Sequence, residues 1–280
     1  MALFLNFITI FPQLWLLSVG ILGAITGSFL NVVIYRLPLM RKEDWNHEMK
    51  LRSTETLLEE KQNINLIYPR SFCPHCFRTI RIRDNIPLLS YLCLNGRASC
   101  CGQQIPYHYL LVEVMSSFLF ILAALLYSPG VLLIGAWIFF SILLALAFID
   151  HQTYLLPDTL TLPLIWIGLL FNLRNGYVQL EQAVIGVILG YLILWLIYWG
   201  FRLITNRETL GYGDFKLLAA LGAWMGWQAL PHILLLAAVS GLFVVLLTRY
   251  LSHTKLNQPL AFGPWLVFSA ICNILWFSLN

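Results

Sequence analysis

Charge is scarce in this chain: Asp, Glu, Lys and Arg make up 11% of its 280 residues, against 59% hydrophobic residues. With several apolar runs long enough to cross a bilayer, that composition excludes an ordinary soluble domain and places the chain among polytopic membrane proteins. Basic residues are missing from the N-terminal region: no Lys or Arg precedes Arg36. The basic start of a cleaved secretory signal is therefore absent, and the first apolar run is expected to be retained. No strand-like run followed by a Gly-rich turn offers a dinucleotide-type cofactor site, and no internal repeat is visible. The net charge is only +4, which calls for no nucleic acid.

What is present is a series of apolar segments. Eight helices are expected, over 12-34, 110-127, 131-149, 159-173, 182-201, 215-230, 232-250 and 260-279. Several fall short of the roughly 20 residues that span a bilayer. The fold class is all-α, polytopic, with about eight transmembrane helices embedded in lipid. Gly20, Gly23 and Gly27 in the first apolar run read as small-residue packing positions. Trp and Tyr near helix ends, among them Tyr127, Trp224, Trp227 and Tyr250, read as an interfacial belt.

Lys and Arg accumulate in cytoplasmic loops. With an N-terminus outside, 35-109, 150-158, 202-214 and 251-259 are cytoplasmic, and 16 of the 17 basic residues fall in or beside them, Arg174 being the exception. The long segment supplies 11 and is the weaker witness, but the remaining five against one favour the same orientation. The chain divides into a first helix, 1-35, a polar Cys-containing segment, 36-109, and a seven-helix membrane region, 110-280.

Five of six cysteines lie in the polar segment. Its first half, 41-63, is charge-rich, an exposed helix or a flexible arm. The second half carries Cys73-Pro74-His75-Cys76, followed by Cys93, Cys100 and Cys101. In a cytosolic segment such spacing points to zinc before disulfides, with Cys73, Cys76, Cys100 and Cys101 the candidate ligands of a small ribbon-like domain. The second half-site is irregular: a CxxC ending at Cys101 requires cysteine at 98, where Ala98 stands. Adjacent Cys100 and Cys101 are expected to ligate together only with distorted geometry, leaving Cys93, His75 or His108 to complete a tetrahedron. The alternative is a metal-free, reduced domain. Cys272 in the last apolar run reads as packing.

Two acids stand at the ends of apolar runs, Asp150 in Phe148-Ile149-Asp150 and Asp214 in Gly211-Tyr212-Gly213-Asp214. A charge at the bilayer centre costs at least ~2.5 kcal/mol, so acids there face an interior and have a task. A carboxylate pair that activates water is the sharpest such task. Asp150 closes the third helix, 151-157 is expected to turn, and Asp158 after Pro157 reads as the cap of the fourth. Gly211 and Gly213 allow the backbone to bend tightly around the acid. Lys216 either stabilises Asp214 or a ligand, or reaches to the interface. Asn31 is a candidate for substrate backbone, with interhelical hydrogen bonding as its competing role. A helix N-terminus favours negative charge, making Asp214 the base and Asp150 the acid. A second class of reading is a proton- or cation-coupled transporter using the same acids; it leaves the CPxC segment and the Gly-x-Gly without a role.

Taken together, Gly27-Ser28-Phe29-Leu30-Asn31 through Pro38, the CPxC knuckle, Asn85-Ile86-Pro87-Leu88-Leu89-Ser90-Tyr91-Leu92, the FID and LPD motifs, GYGDFKLLAALGAW at 211-224 and Phe262-Gly263-Pro264 resemble the type IV prepilin peptidase family. The resemblance runs in order over nearly the whole chain. It implies a bifunctional multi-pass enzyme of the bacterial inner membrane, N-terminus periplasmic, that cuts the basic leader from type IV prepilins or type II secretion pseudopilins at the cytoplasmic face. It further implies methylation of the new N-terminus with S-adenosylmethionine, and Asp150 and Asp214 as the catalytic pair. Two departures stand out: Gly96-Arg97-Ala98-Ser99-Cys100-Cys101 where the family has Gly-Arg-Cys-x-x-Cys, and His108-Tyr109-Leu110 where it has Arg-Tyr-Pro. They admit a third reading, an inactive relative that binds pilins. Oligomeric state is not legible.

Overall fold

The computed structural model describes residues 10–52, 65–73, 75–174, 176–205, 211–252 and 261–279. Among them there is no β-strand, only two isolated antiparallel bridges. Nine α-helices follow in order: α1 Pro12–Arg52, α2 Leu89–Cys93, α3 Tyr107–Leu126, α4 Val131–Thr153, α5 Asp158–Asn172, α6 Leu180–Thr205, α7 Tyr212–Met225, α8 Leu230–Ser252 and α9 Gly263–Leu279. Each of the eight expected segments is helical. Five are long and apolar enough to cross a membrane, within α1, α3, α4, α6 and the stretch Trp227–Leu251; α5 and α9 are apolar but shorter.

α1 runs well beyond the expected 12-34, through Pro38 to Arg52. The charged segment is thus helical as far as Arg52, while 53-63 lies outside the described residues. The chain divides into two compact units, Met1–Leu125 and Leu126–Asn280.

In the first unit, α1 and α3 approach through the small residues expected to pack. A Cβ on Gly23 would lie 2.7 Å from Ser117 Cα, and one on Gly27 would lie 2.7 Å from Glu113 Cα. Such contacts let backbones close where lipid offers no competing hydrophobic drive. Arg36 is buried, donating from Nη1 to Asn65 O at 2.8 Å and from Nη2 to Pro69 O at 2.6 Å, which ties the stretch just before Cys73 to α1. Asn31 donates to Tyr109 O at 3.0 Å, the interhelical role.

In the second unit α7 is the central element. From Asp214 to Trp224 every residue is buried except Lys216, and α5, α6 and α9 pack around it. This enclosure is what stabilises a 14-residue helix that is too short to span a bilayer alone. Gly186 on α6 and Gly222 on α7 meet backbone to backbone, where a Cβ on either would overlap the other's carbonyl. Trp224 is not an interfacial anchor as its place near a helix end suggested: it is fully buried, donates to Leu164 O at 2.9 Å and stacks near Phe139 and Phe171. Asn172 closes the same corner, donating to Ala223 O at 2.8 Å and accepting from Tyr177 N–H.

Candidate functional site

The second unit brings Asp150 and Asp214 together. Both are buried, 5% and 8% exposed, and the two carboxylates are near enough to interact electrostatically. Asp150 does not end its helix: α4 continues through His151, Gln152 and Thr153, and the chain turns at Tyr154, whose φ is 55°. Three polar residues continue the helical hydrogen-bonding, so the acid occupies the last full turn. Asp214 is the third residue of α7, its N–H donating to Gly211 O at 3.2 Å.

The two glycines before Asp214 have different reasons. Gly213 faces the turn after α4: a Cβ there would lie 2.8 Å from Leu156 Cβ, so only glycine lets the start of α7 approach the chain just beyond the end of α4. Gly211 has φ −80° and ψ 141°, open to any residue; what a Cβ would meet is Asp214 Oδ2 at 3.8 Å. Gly211 therefore keeps the approach to the carboxylate open.

Gly263, which the sequence offered only as part of the Phe262-Gly263-Pro264 motif and without a role at the acids, completes the site. Gly263 N–H donates to Asp150 Oδ2 at 2.9 Å, and a Cβ on Gly263 would lie 2.6 Å from that oxygen. Gly263 begins α9, so the positive end of that helix is aimed at Asp150. The Gly-Pro dipeptide is the signal that marks such a helix start, Pro at the first positions needing no N–H partner.

Two expectations are corrected. Asp158 is not the cap of α5; Pro157 holds that position, and Asp158 Oδ1 takes Lys216 Nζ at 2.7 Å. Lys216 accordingly pairs with Asp158 and not with Asp214, because its place two residues after the acid directs it to the neighbouring helix start.

The first unit holds the second cluster. The sulfurs of Cys73, Cys76, Cys100 and Cys101 lie within 4.8 Å of one another. Cys76 and Cys100 are 3.2 Å apart, Cys73 and Cys101 3.8 Å, Cys100 and Cys101 3.9 Å. Sulfurs at the corners of a zinc tetrahedron with Zn–S of ~2.3 Å stand about 3.8 Å apart, so this donor set fits a metal such as zinc. The spacing is uneven, the 3.2 Å between Cys76 and Cys100 being tighter than a regular tetrahedron, as adjacent cysteines lead one to expect, and the set of four is formed without Cys93, His75 or His108. Burial pushes the Cys73 thiol up, but the N–H groups of Cys76 and His75 and the nearby sulfurs outweigh it and lower it to about 7. Cys100 is pushed up to about 12, first by its bond to Cys76.

Beside this cluster lies a cavity of about 620 Å³ within the first unit, lined among others by Tyr35, Asp84, Tyr91, Tyr109 and Glu113. Glu113 Oε2 accepts the Leu88 N–H at 2.8 Å.

Comparison with known proteins gives a consistent picture. Residues 21–127 match the family model described as the bacterial peptidase A24 N-terminal domain, and residues 137–246 match that of the type IV leader peptidase family. The chain is 53% identical over 269 residues to a prepilin leader peptidase/N-methyltransferase of Dickeya chrysanthemi, covering 96% of this chain and 95% of that one. Its identity to the protein of the same name from Pectobacterium carotovorum subsp. carotovorum is 50% over 275 residues, 98% of each chain. The Aeromonas hydrophila protein of that name is 45% identical over 278 residues, 99% of this chain and 96% of that one. No solved structure matches.

Proposed function

The chain belongs to the type IV leader peptidase family, and from that premise we propose that it removes the leader of prepilins or pseudopilins with Asp150 and Asp214 and methylates the new N-terminus. The observation that carries this reading is the convergence of two buried carboxylates in one site of the second unit. The protein is a multi-pass enzyme of the inner membrane, with its acids turned to the cytoplasmic face. Neither a transporter nor an inactive relative has a finding in its favour.

One carboxylate takes a proton from water as the water oxygen attacks the scissile carbonyl carbon, and the other gives a proton to the carbonyl oxygen. Collapse breaks the C–N bond, with a proton passing to the leaving nitrogen, to yield a leader carboxylate and a free pilin amine. The Gly263 N–H gives Asp150 the helix N-terminal field that the sequence reading reserved for Asp214. The macrodipole therefore no longer separates acid from base, and the pair is best written as sharing one proton.

Cys73, Cys76, Cys100 and Cys101 would hold zinc as four thiolates, a structural cross-link within the first unit. S-adenosylmethionine, when bound, would supply the methyl group. Its site is proposed in the first unit's cavity, whose volume suits a drug-sized ligand, with Glu113 and Asp84 offering anions to a sulfonium and Tyr35, Tyr91 and Tyr109 offering ring faces.

The test is mass spectrometry of a model prepilin incubated with the purified protein and S-adenosylmethionine. A shortened pilin heavier by one methylene supports both activities. An uncut substrate, under conditions where a relative cuts it, rejects the reading.

Two further outcomes are expected. Gly263→Ala places a methyl against the Asp150 carboxylate and displaces it. Because a misplacement of about 1 Å can cost ~10²-fold, kcat for cleavage should fall by about that factor with KM little changed in a steady-state assay. Lys216→Met breaks a pair that is partly exposed on both sides; such pairs contribute up to about 1 kcal/mol. Thermal unfolding should shift only slightly, and cleavage should persist, whereas loss of cleavage would put Lys216 in the catalytic site.

A further inference from the structure

The Cys-containing segment holds the same turn twice. Cys73 N–H donates to Arg78 O at 2.9 Å, and Ala98 N–H donates to Gln103 O at 2.8 Å. Phe77 N–H donates to Cys73 O, and Gly102 N–H to Ala98 O; Ile80 N–H donates to Ser71 O, and Ile105 N–H to Gly96 O. The isolated bridges repeat the correspondence, Phe72 with Thr79 and Arg97 with Gln104. So does the left-handed residue after each second cysteine, Phe77 at φ 55° and Gly102 at φ 70°. Every pair is related by the same shift along the chain, which sets Cys76 opposite Cys101, Cys73 opposite Ala98, and His75 opposite Cys100.

The second turn therefore keeps the backbone of a ligand-bearing turn while the side chain in its first ligand slot is a methyl. Two residues on, in the position that His75 occupies in the first turn, a sulfur is present and lies 3.2 Å from Cys76 and 3.9 Å from Cys101. We propose that Cys100 is a displaced ligand: it supplies from the His75-equivalent position the thiolate that slot 98 lacks, so that a four-sulfur site is completed by non-equivalent positions of two equivalent turns. This rests on the zinc reading above and adds to it which sulfur is substitutable and from where. In the first turn the slot sulfur, Cys73, is the most buried of the four; in the second the work passes to a half-exposed residue. Direct adjacency of Cys100 and Cys101 is tolerated because the turn, held by the Gly102 N–H to Ala98 O bond, bends both side chains to one side.

The proposal predicts that the ligand can be returned to its slot. The full-length protein, purified in detergent, is loaded with Zn²⁺ or Co²⁺ and assayed for bound metal per chain and for the Co²⁺ visible spectrum, neither of which needs enzymatic activity. Wild type should bind one ion with a four-thiolate spectrum. Cys100→Ser should lose the ion to a chelator that wild type withstands, or keep it with a three-thiolate spectrum. Ala98→Cys combined with Cys100→Ser should regain both stoichiometry and the four-thiolate spectrum. Retention of the wild-type spectrum by Cys100→Ser overturns the displaced-ligand assignment while leaving zinc in place, as does failure of the double variant to recover. Absence of metal from wild type itself overturns the zinc reading and this assignment together.

Discussion

Asp214→Asn is expected to abolish leader cleavage, lowering the rate by about 10⁴-fold or more, the scale on which removing one member of a cooperating catalytic set acts. The amide keeps the shape of the carboxyl group and occupies the same pocket at the start of α7, so the fold should survive. What it removes is the capacity to carry a proton between water and the scissile bond. Asp150→Asn should do the same, since its amide can still present an oxygen to the Gly263 N–H. Cleavage time courses on a model prepilin, alongside a thermal unfolding profile of each variant, check both halves of the expectation. Near-wild-type cleavage by either variant would remove that residue from the chemistry.

The second large effect is on stability. Gly222→Val is expected to prevent assembly of the second unit, because its Cβ would overlap the Gly186 carbonyl on α6. Overpacking in a well-filled interior ordinarily costs about 1–3 kcal/mol when side chains can shift; here the obstacle is backbone on both sides, so the loss should lie at or above the top of that range. α7 carries Asp214, so cleavage should disappear with the fold. Gly200, also on α6, has nothing within 4 Å of its Cβ position, and Gly200→Ala should be silent. Yield, gel-filtration profile and unfolding temperature of the two variants in detergent distinguish a specific helix contact from a general intolerance of side chains on α6.

Much of the architecture is legible in the chain because apolar runs are interrupted by charge, Gly and Pro. The eight helical segments follow from that alternation, and the small residues Gly20, Gly23 and Gly27 announce the α1–α3 contact. The acids are legible too, since a carboxylate at the end of an apolar run has few uses. What is not legible is which neighbour each polar group finds. His151, Gln152 and Thr153 look like a loop in composition and continue α4 in fact, and Lys216 reaches Asp158 across a helix start. Trp224 resembles an interfacial residue by position, but α7 is buried from Leu217 to Trp224. The Gly263 contact depends on α9 returning to the end of α4, a long-range packing that no local pattern encodes. In the Cys-containing segment, the spacing irregularity at Ala98 conceals a regular backbone: the repeat is carried by hydrogen bonds and φ angles, and only Cys76 and Cys101 repeat it as cysteines.

The most direct test of the central claim, that Asp150 and Asp214 act as one catalytic unit, is a double-mutant cycle on cleavage rate. The rates of wild type, Asp150→Asn, Asp214→Asn and the double variant would be followed by mass spectrometry on one prepilin. A shared mechanism predicts that each single variant is as inactive as the double, the losses failing to multiply. Losses that multiply, or a single variant that still cuts, would show two independent contributions and contradict the pair.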